Sequence, residues 1–453
     1  MERLKRSLLY TYGTADMFFI LMVSMELYYF TAFLTDYASF SMKTVSVILY
    51  VTGVLDIACA LLAGIILEKT DLRFGGKYRS WFLLAPPIIA PLYVLQFTRV
   101  GGEALAATVI VVGFLASHLL WNISSTAGGA LVGRMSRRAD EITILSASRT
   151  QGMMAAGLVF SLTGLPLIAF FSGLAGQVSG FSLTVAVYAL LNVLGYLYVY
   201  KITAGKDLYD RPPASAEVKP QITAGEMVRL VFRNGPLAAL IVAEIFRNSC
   251  ISLVAALAFY YFSYVLGTLP FMSVFLLATA VMGLAGSIAA AWIGLRIGKR
   301  ATYWLSLLLA AGAYTSARFL GGTAWSFTAL FGVGTMFTVI ASSMSTALFS
   351  DTVVYGEWKT GKSIRAFTMS LLNLPIKIGV LVRSAVVTLG LVAIGFVSNA
   401  APAPEVVSGI AALMTFSPAA VCVLAAVCFF FGYRLDEGQV EKMQLEIAAR
   451  PAR

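Results

Sequence analysis

Long apolar segments alternate with short polar connections along most of the chain. A helix needs about 20 apolar residues to cross the hydrocarbon core of a bilayer, so this pattern predicts membrane-spanning helices. We predict twelve spans, near residues 9–35, 44–67, 81–98, 104–126, 144–172, 180–200, 237–266, 270–294, 302–320, 324–350, 367–398 and 408–433.

One long polar interval, near 201–226, separates the first six predicted spans from the last six. We therefore predict an N-terminal six-helix bundle at 1–200, a cytoplasmic linker at 201–236, a C-terminal bundle at 237–433 and a cytoplasmic tail at 434–453. The stretches RFGGKYRSW at 73–81 and RIGKRATYW at 296–304 occupy matching places in the two halves. Duplication around a polar hinge is typical of secondary transporters.

Composition supports the membrane interpretation, because 59% of the residues are hydrophobic and only 12% are charged. Soluble proteins average about 25% charged residues. The pattern and the composition together predict an all-α integral membrane protein, located in the plasma (inner) membrane.

The basic residues predict the orientation of the spans. Most of the 33 lysines and arginines lie in every second connection, while the alternate connections contain only Lys43, Arg99 and Arg318. The positive-inside rule then places both termini in the cytoplasm. The net charge of +11 is thus a topology signal and gives no reason to expect a nucleic-acid partner.

Eight charged residues fall well inside the predicted spans, and each costs about 3 kcal/mol at the bilayer centre on insertion scales. Pairing among them is sufficient to explain their presence, because the acids and the bases are equal in number. The acids are Asp16, Glu26, Asp56 and Glu244, and the bases are Arg149, Arg247, Lys377 and Arg383. Glu244 and Arg247 are spaced to neutralise each other on one helix face. For Asp56 and Lys377 we favour a functional role. Asp56 binds a cation or proton, and Lys377 pairs with Asp56 when no cation or proton is bound.

Motifs for enzyme chemistry are not found in the sequence. We see no nucleotide-binding glycine loop, no metal-ligand cluster and no nucleophile beside a base. His118, the one histidine, is expected to be an ordinary helix residue, and the four cysteines small buried hydrophobes. We predict no enzyme activity and no cofactor, apart from a possible coupling ion, H⁺ or Na⁺.

Short motifs then suggest a family. They are YGTAD at 12–16, GKYRSW at 76–81, GALVGRMS at 129–136, LSASR at 145–149 and DTVVYGEWKTGK at 351–362. Together they resemble signatures of the glycoside–pentoside–hexuronide:cation symporters, a family of the major facilitator superfamily that includes the melibiose permeases. The last motif is similar to D-x-V-D-Y-G-E-W-K-T-G, and the resemblance extends over roughly residues 8–435.

The resemblance implies a twelve-helix major facilitator fold of two six-helix halves, which works by alternating access. It places helices 1, 4, 7 and 10 around the cavity, and Lys377 where melibiose permeases have a lysine. The implied role is secondary transport of a small organic solute, favoured to be a sugar or glycoside. Its candidate substrate-binding residues are Tyr12, Asp16, Ser125, Arg149, Glu244 and Asn373.

Departures from the family pattern leave alternatives open. Ala60 replaces the second acid of helix 2, which favours H⁺ over Na⁺ because sodium needs several oxygen ligands. Ser125 and Gly128 stand where melibiose permeases have a sugar-binding acid and an aromatic. A non-sugar solute such as an amphiphile or lysolipid, moved without coupling, is the second hypothesis. A non-transporting sensor or lipid-handling protein is the third.

The motif at 351–362 is expected to form the cytoplasmic connection between helices 10 and 11, and part of a cytoplasmic gate. We predict that Asp351 and Glu357, with Lys359 nearby, pair across the halves with Arg134, Arg137 or Arg138. The expected partners are a small-molecule solute and membrane lipid, with no nucleic acid, and the protein is expected to act as a monomer.

Overall fold

The computed structural model of the protein describes residues 3–70, 72, 75–136, 139–207, 234–360, 371, 374–398, 400 and 402–449. These residues fold almost entirely into helices, which confirms the all-α prediction. The chain divides into two compact units. The first comprises Met1–Ala216, Thr268–Leu277 and Phe396–Ala401, and the second Glu217–Gly267, Ala278–Gly395 and Pro402–Arg453.

The helices before residue 208 follow the predicted order. They are α1 (Arg6–Thr11), α2 (Thr14–Ala32) with a π-helical continuation at Phe33–Tyr37, α3 (Met42–Lys69), α4 (Arg79–Leu95), α5 (Glu103–Met135), α6 (Ala139–Ala175) and α7 (Gln177–Ile202). Most of the predicted linker lies outside the described residues.

The helices after residue 233 repeat this arrangement. They are α8 (Gly235–Tyr260) with a π-helical continuation at Tyr261–Val265, α9 (Phe271–Ile297), α10 (Lys299–Leu320), α11 (Ala324–Thr360), α12 (Leu374–Ala393), α13 (Pro404–Gly432) and α14 (Glu437–Ala448).

Side chains satisfy the first backbone N–H groups of several helices, which have no partner within the helix. The Ser41 hydroxyl accepts from Thr44 N at 3.3 Å at the start of α3. The Asn234 side chain accepts from Leu237 N at 3.1 Å at the start of α8. Asp207, which follows α7, accepts from Arg79 N at 2.9 Å and so joins the end of α7 to the beginning of α4.

Ten helices of the described residues are long and apolar enough to cross a membrane. α4, with 17 residues, is a shorter apolar helix. α10 is long enough, but it includes Lys299, Arg300 and Arg318 and is not among the ten. Both helices coincide with predicted spans, so the twelve-span topology and the cytoplasmic termini stay predictions.

The structure corrects the predicted connection after helix 10. We expected that span to end near residue 350 and the motif from Asp351 to form a loop, but α11 continues as a helix to Thr360. Gly356 is the only glycine in this extension. A single glycine destabilises a helix by about 1 kcal/mol, which is too little to end it. The eleventh predicted span, 367–398, contains α12, and its residues 367–370, 372 and 373 lie outside the described residues.

The first long helix of each half ends in the same way. α2 and α8 both pass into a five-residue π-helix, at Phe33–Tyr37 and Tyr261–Val265. Asp16 precedes the first π-helix by 17 residues, and Glu244 precedes the second by the same 17. The duplication predicted from the sequence therefore extends to a buried acid at equivalent positions.

Candidate functional site

A close crossing of α2 and α6 positions the first group of charges. A Cβ added at Gly13 would lie 2.0 Å from the carbonyl oxygen of Ser148, and one at Gly152 would lie 2.2 Å from that of Gly13. Such distances are far shorter than real contacts, so the two backbones meet here only because both positions are glycine. The Ser148 hydroxyl accepts from Gly13 N at 3.0 Å and fixes the register.

This crossing brings Arg149 against Asp16. The guanidinium donates through Nε and Nη2 to the two carboxylate oxygens, at 2.9 and 2.7 Å. Such two-point pairs are strong and geometrically specific. The side chains are 18% and 10% exposed, so the pair is partly accessible.

Two further candidates lie on or against α5 beside this pair. The Tyr12 hydroxyl donates to the carbonyl oxygen of Gly128 at 2.8 Å. The third guanidinium nitrogen of Arg149, Nη1, would lie 3.2 Å from a Cβ at Gly129, so the missing side chain leaves space at this edge. Ser125 is half-buried about one turn earlier on α5. We refer to Tyr12, Asp16 and Arg149 as the α2–α6 cluster.

The predicted coupling residues lie in different units. Asp56 is half-buried on α3, where Asn122 Nδ2 approaches its Oδ1 at 3.5 Å. Lys377 is half-buried on α12 in the second unit. Their pairing would join the two units and stays a prediction.

A group that sequence reasoning did not select lies deeper in the first unit, where Glu26 meets His118 and Tyr93. His118 Nε2 is 3.2 Å from Glu26 Oε2, and the Tyr93 hydroxyl donates to the same oxygen at 3.0 Å. His118 Nδ1 lies 2.9 Å from the carbonyl oxygen of Phe114. The available signal was that Glu26 and the one histidine both lie near the middle of predicted spans. We call these three residues the Glu26 cluster.

Glu244 and Arg247 form the buried charge pair of the second unit. Arg247 donates to both carboxylate oxygens, and its Nη2 is 2.7 Å from Oε2. The hydroxyls of Tyr303 and Ser345 donate to Oε1 at 2.7 and 2.6 Å. Both charged side chains are about 95% buried, at 5% and 6% exposure. Glu244 and Arg247 therefore neutralise each other, as their spacing on one helix face predicts. Asn373 lies outside the described residues.

The predicted gate residues have local contacts. Lys299 Nζ pairs with Asp351 Oδ2 at 2.7 Å, a partner that we did not predict. Lys359 Nζ lies 5.4 Å from the centre of the Tyr355 ring, and Glu357 is half-buried on the same helix. Arg134 stacks over the Tyr78 ring at 5.5 Å. Arg137 and Arg138 lie outside the described residues, so the gate pairing stays a prediction.

Among the described residues, no three His, Cys, Asp or Glu side chains lie close enough together to hold a metal ion. The cysteines are free thiols, of which Cys59, Cys250 and Cys422 are buried and Cys428 is half-buried. The candidate site therefore consists of charge pairs and hydrogen-bonded clusters inside helical bundles. This arrangement is typical of a solute pathway.

Comparisons with known proteins agree with this arrangement. A family model described as "MFS/sugar transport protein" matches residues 11–437. The chain is 25% identical to an uncharacterized symporter, YjmB, of Bacillus subtilis, over 88% of this chain and 90% of the relative. It is 25% identical to the isoprimeverose transporter of Lactiplantibacillus pentosus, over 94% and 88%. It is 26% identical to a glucuronide carrier protein homolog of Escherichia coli, over 92% and 90%.

Solved structures show a related fold. The nucleoside transporter NupG superposes with a TM-score of 0.65 at 13% sequence identity, and the match covers 95% of this chain and 100% of that chain. At this identity the likeness concerns the fold alone.

Proposed function

The chain belongs to the MFS/sugar transport protein family, and from this premise we propose that it carries a sugar or glycoside by alternating access, coupled to protons. The family match, over residues 11–437, is the observation that carries the proposal. The resemblance to the cation symporters is confirmed, and the chain is a multi-pass membrane transporter of a small solute rather than an enzyme.

A sugar substrate is supported by the relatives whose names include isoprimeverose and glucuronide. The α2–α6 cluster provides suitable chemistry, because a guanidinium and a carboxylate can bind neighbouring hydroxyls with fixed geometry. Arg149 Nη1, beside Gly129, is the donor available to such a hydroxyl once Nε and Nη2 are bonded to Asp16. Arg149 then orients the solute, while Tyr12 and Ser125 extend the polar surface along α5.

Proton coupling is proposed over sodium coupling because one carboxylate, Asp56, remains where the family pattern has two, and Ala60 takes the other position. Sodium binding needs several oxygens, whereas proton binding needs one basic atom. We propose that Asp56 takes part in proton binding and that Lys377 is its partner in the unloaded state. We also propose twelve spans and cytoplasmic termini, which the distribution of lysine and arginine supports.

An amphiphile or lysolipid is the second candidate substrate. It is favoured by Gly128, because this position holds no ring on which a sugar could stack. A Cβ at Gly128 would lie 3.8 Å from Phe82 and from Arg149, a normal van der Waals distance, so a side chain could be accommodated without a clash.

The test is uptake into proteoliposomes with isoprimeverose, a glucuronide and lysophosphatidylcholine offered separately. We expect saturable sugar uptake that an inward proton gradient drives above equilibrium. Arg149→Lys should reduce it about tenfold or more, because lysine cannot form the two-point pair with Asp16. The exposed Arg296→Lys is the matched control and should transport normally. Strict sodium dependence would refute proton coupling, and uptake of the lysolipid alone would refute the sugar.

A further inference from the structure

The Glu26 cluster contains a contact that is favourable only with an additional proton. A carbonyl oxygen can only accept, so the 2.9 Å contact between His118 Nδ1 and the Phe114 carbonyl makes Nδ1 the donor. In neutral imidazole the other nitrogen, Nε2, then has a lone pair. That lone pair faces Glu26 Oε2 at 3.2 Å. A carboxylate oxygen and a lone pair repel each other at this distance unless a proton lies between them.

The surroundings hold the imidazole in this orientation. The Phe114 ring stacks on it at 3.7 Å and 5°, and the Trp121 ring meets it edge-on at 5.2 Å. These apolar neighbours exclude water, so the interaction between an imidazolium and a carboxylate is stronger here than in solution. An unpaired imidazolium would be costly in this place. Protonation of His118 therefore depends on Glu26.

Solvent access differs between the two partners. The Glu26 side chain is 14% exposed and the His118 side chain is 3% exposed. A proton can reach the carboxylate first and then be shared with the buried ring. Tyr93 has already donated its hydroxyl proton to Oε2, so this hydroxyl cannot supply the proton between Oε2 and Nε2.

Titratable groups approach His118 and its neighbour Asn122 from three helices besides α5. Glu26 comes from α2, Tyr93 from α4 and Asp56 from α3. Asp56 is connected through Asn122, whose Nδ2 donates to the His118 carbonyl oxygen at 2.7 Å and approaches Asp56 Oδ1 at 3.5 Å. The predicted coupling residue therefore contacts Asn122, which lies one helical turn from His118 on α5.

We propose that Glu26 and His118 together form a proton-binding site, which takes up one proton between Oε2 and Nε2 and releases it during transport. Uptake converts carboxylate and neutral imidazole into a hydrogen-bonded pair with one more proton, and release reverses this step. The inference rests on the proposed function for its role in transport, where it places the coupled proton within the first unit. Its chemistry can be measured without any solute.

The test observes His118 directly. Because the sequence has one histidine, ¹⁵N-histidine labelling of protein carrying a histidine-free affinity tag gives one imidazole. The reconstituted protein is titrated from about pH 5 to 9, the range in which histidine changes charge. We expect the ring to be doubly protonated at low pH. At high pH it should be neutral, with its proton on Nδ1.

Substitutions should move this transition in opposite directions. Glu26→Gln removes the charge that stabilises the imidazolium and should lower the midpoint by about one pH unit or more. Tyr93→Phe removes a hydrogen bond that stabilises the carboxylate, so it should raise the midpoint. Glu405→Gln and Tyr10→Phe, both at exposed positions, are the matched controls and should leave it unchanged.

An imidazole that does not titrate, a neutral ring protonated at Nε2, or an unchanged midpoint in Glu26→Gln would overturn the inference. The same liposomes separate it from the proposed function. If His118 titrates as expected and no sugar is driven by a proton gradient, proton-coupled transport fails and the proton site stands. If uptake is proton-driven while Glu26→Gln leaves both uptake and the midpoint unchanged, the site alone is refuted.

Discussion

At the scale of single residues, three of the acids within the predicted spans have specific partners. Asp16 meets Arg149, Glu26 meets His118, and Glu244 meets Arg247. The more exposed side chain of each pair is Arg149 at 18%, Glu26 at 14% and Arg247 at 6%. These exposures distinguish the roles of the pairs, because only a pair that solute or solvent can reach is able to bind a solute or a proton.

The buried pair of the second unit is expected to be structural. Removing one partner of a buried pair leaves an uncompensated charge and costs about 3–5 kcal/mol, whereas apolar replacement of both partners is often close to neutral. Glu244→Met should therefore lower the midpoint of thermal unfolding in detergent strongly. The double variant Glu244→Met with Arg247→Met should recover much of the loss.

The exposed Glu405→Gln is the control for this pair and should unfold like the unmodified protein. A double variant as unstable as Glu244→Met would contradict the expected compensation. A stable double variant without uptake would show that the pair also acts in transport.

At the scale of elements, the helix crossing of α2 and α6 decides which residues form the α2–α6 cluster. Gly13 and Gly152 let the two backbones touch, and Ser148 links them by a hydrogen bond. Arg149 follows Ser148 in the chain, so it faces Asp16 one turn further along α2. Small residues are generally enriched where membrane helices approach closely, because lipid supplies no hydrophobic force to hold them together.

Gly152→Ala is expected to separate these helices and weaken the cluster. The new methyl group would lie 2.2 Å from a backbone oxygen, so α6 must move, at a cost of about 1–3 kcal/mol. Uptake and the unfolding midpoint should both fall.

Gly157→Ala on the same helix meets no atom within 4 Å and is the matched control. Alanine is a better helix former than glycine, so the control should be neutral or slightly more stable. Equal behaviour of the two variants would refute the role of the crossing.

At the scale of the whole molecule, the two units repeat one plan. In each, the first long helix ends in a π-helix, and an acid lies 17 residues before that π-helix. The chemistry around the two acids differs, since Asp16 pairs with another helix and Glu244 with its own. Duplication thus preserved the framework while the charge pairs diverged.

The proposed topology depends on whether α4 and α10 cross the membrane. Reporters fused at Gly101, after α4, and at Gly322, after α10, should lie on the side opposite to both termini. An alkaline phosphatase fusion should be active at these glycines, and a fluorescent protein should mature at the termini. Phosphatase that is inactive at Gly101 would remove α4 from the predicted spans.

Much of the fold could be predicted because bilayer spanning is a local property of sequence. Apolar length alone located the helices, and basic residues gave an orientation. The helical extension to Thr360 could not be predicted, since charged residues at a membrane surface are compatible with both a loop and a helix. For the candidate site, the motifs selected Tyr12, Asp16 and Arg149 one by one as substrate-binding candidates, a role that stays a prediction. Glu26 was counted only among the charges to be paired, and His118 was expected to be an ordinary helix residue.

The sequence by itself determined the family, the helical spans and the presence of buried charges that must be compensated. Only the tertiary structure decided which charges meet, because partners come from distant positions, such as the 133 residues that separate Asp16 from Arg149. A single helix fixes which residues share its face, but helix packing fixes which faces touch. His118 became a candidate proton carrier only when packing placed its Nε2 3.2 Å from a carboxylate on another helix.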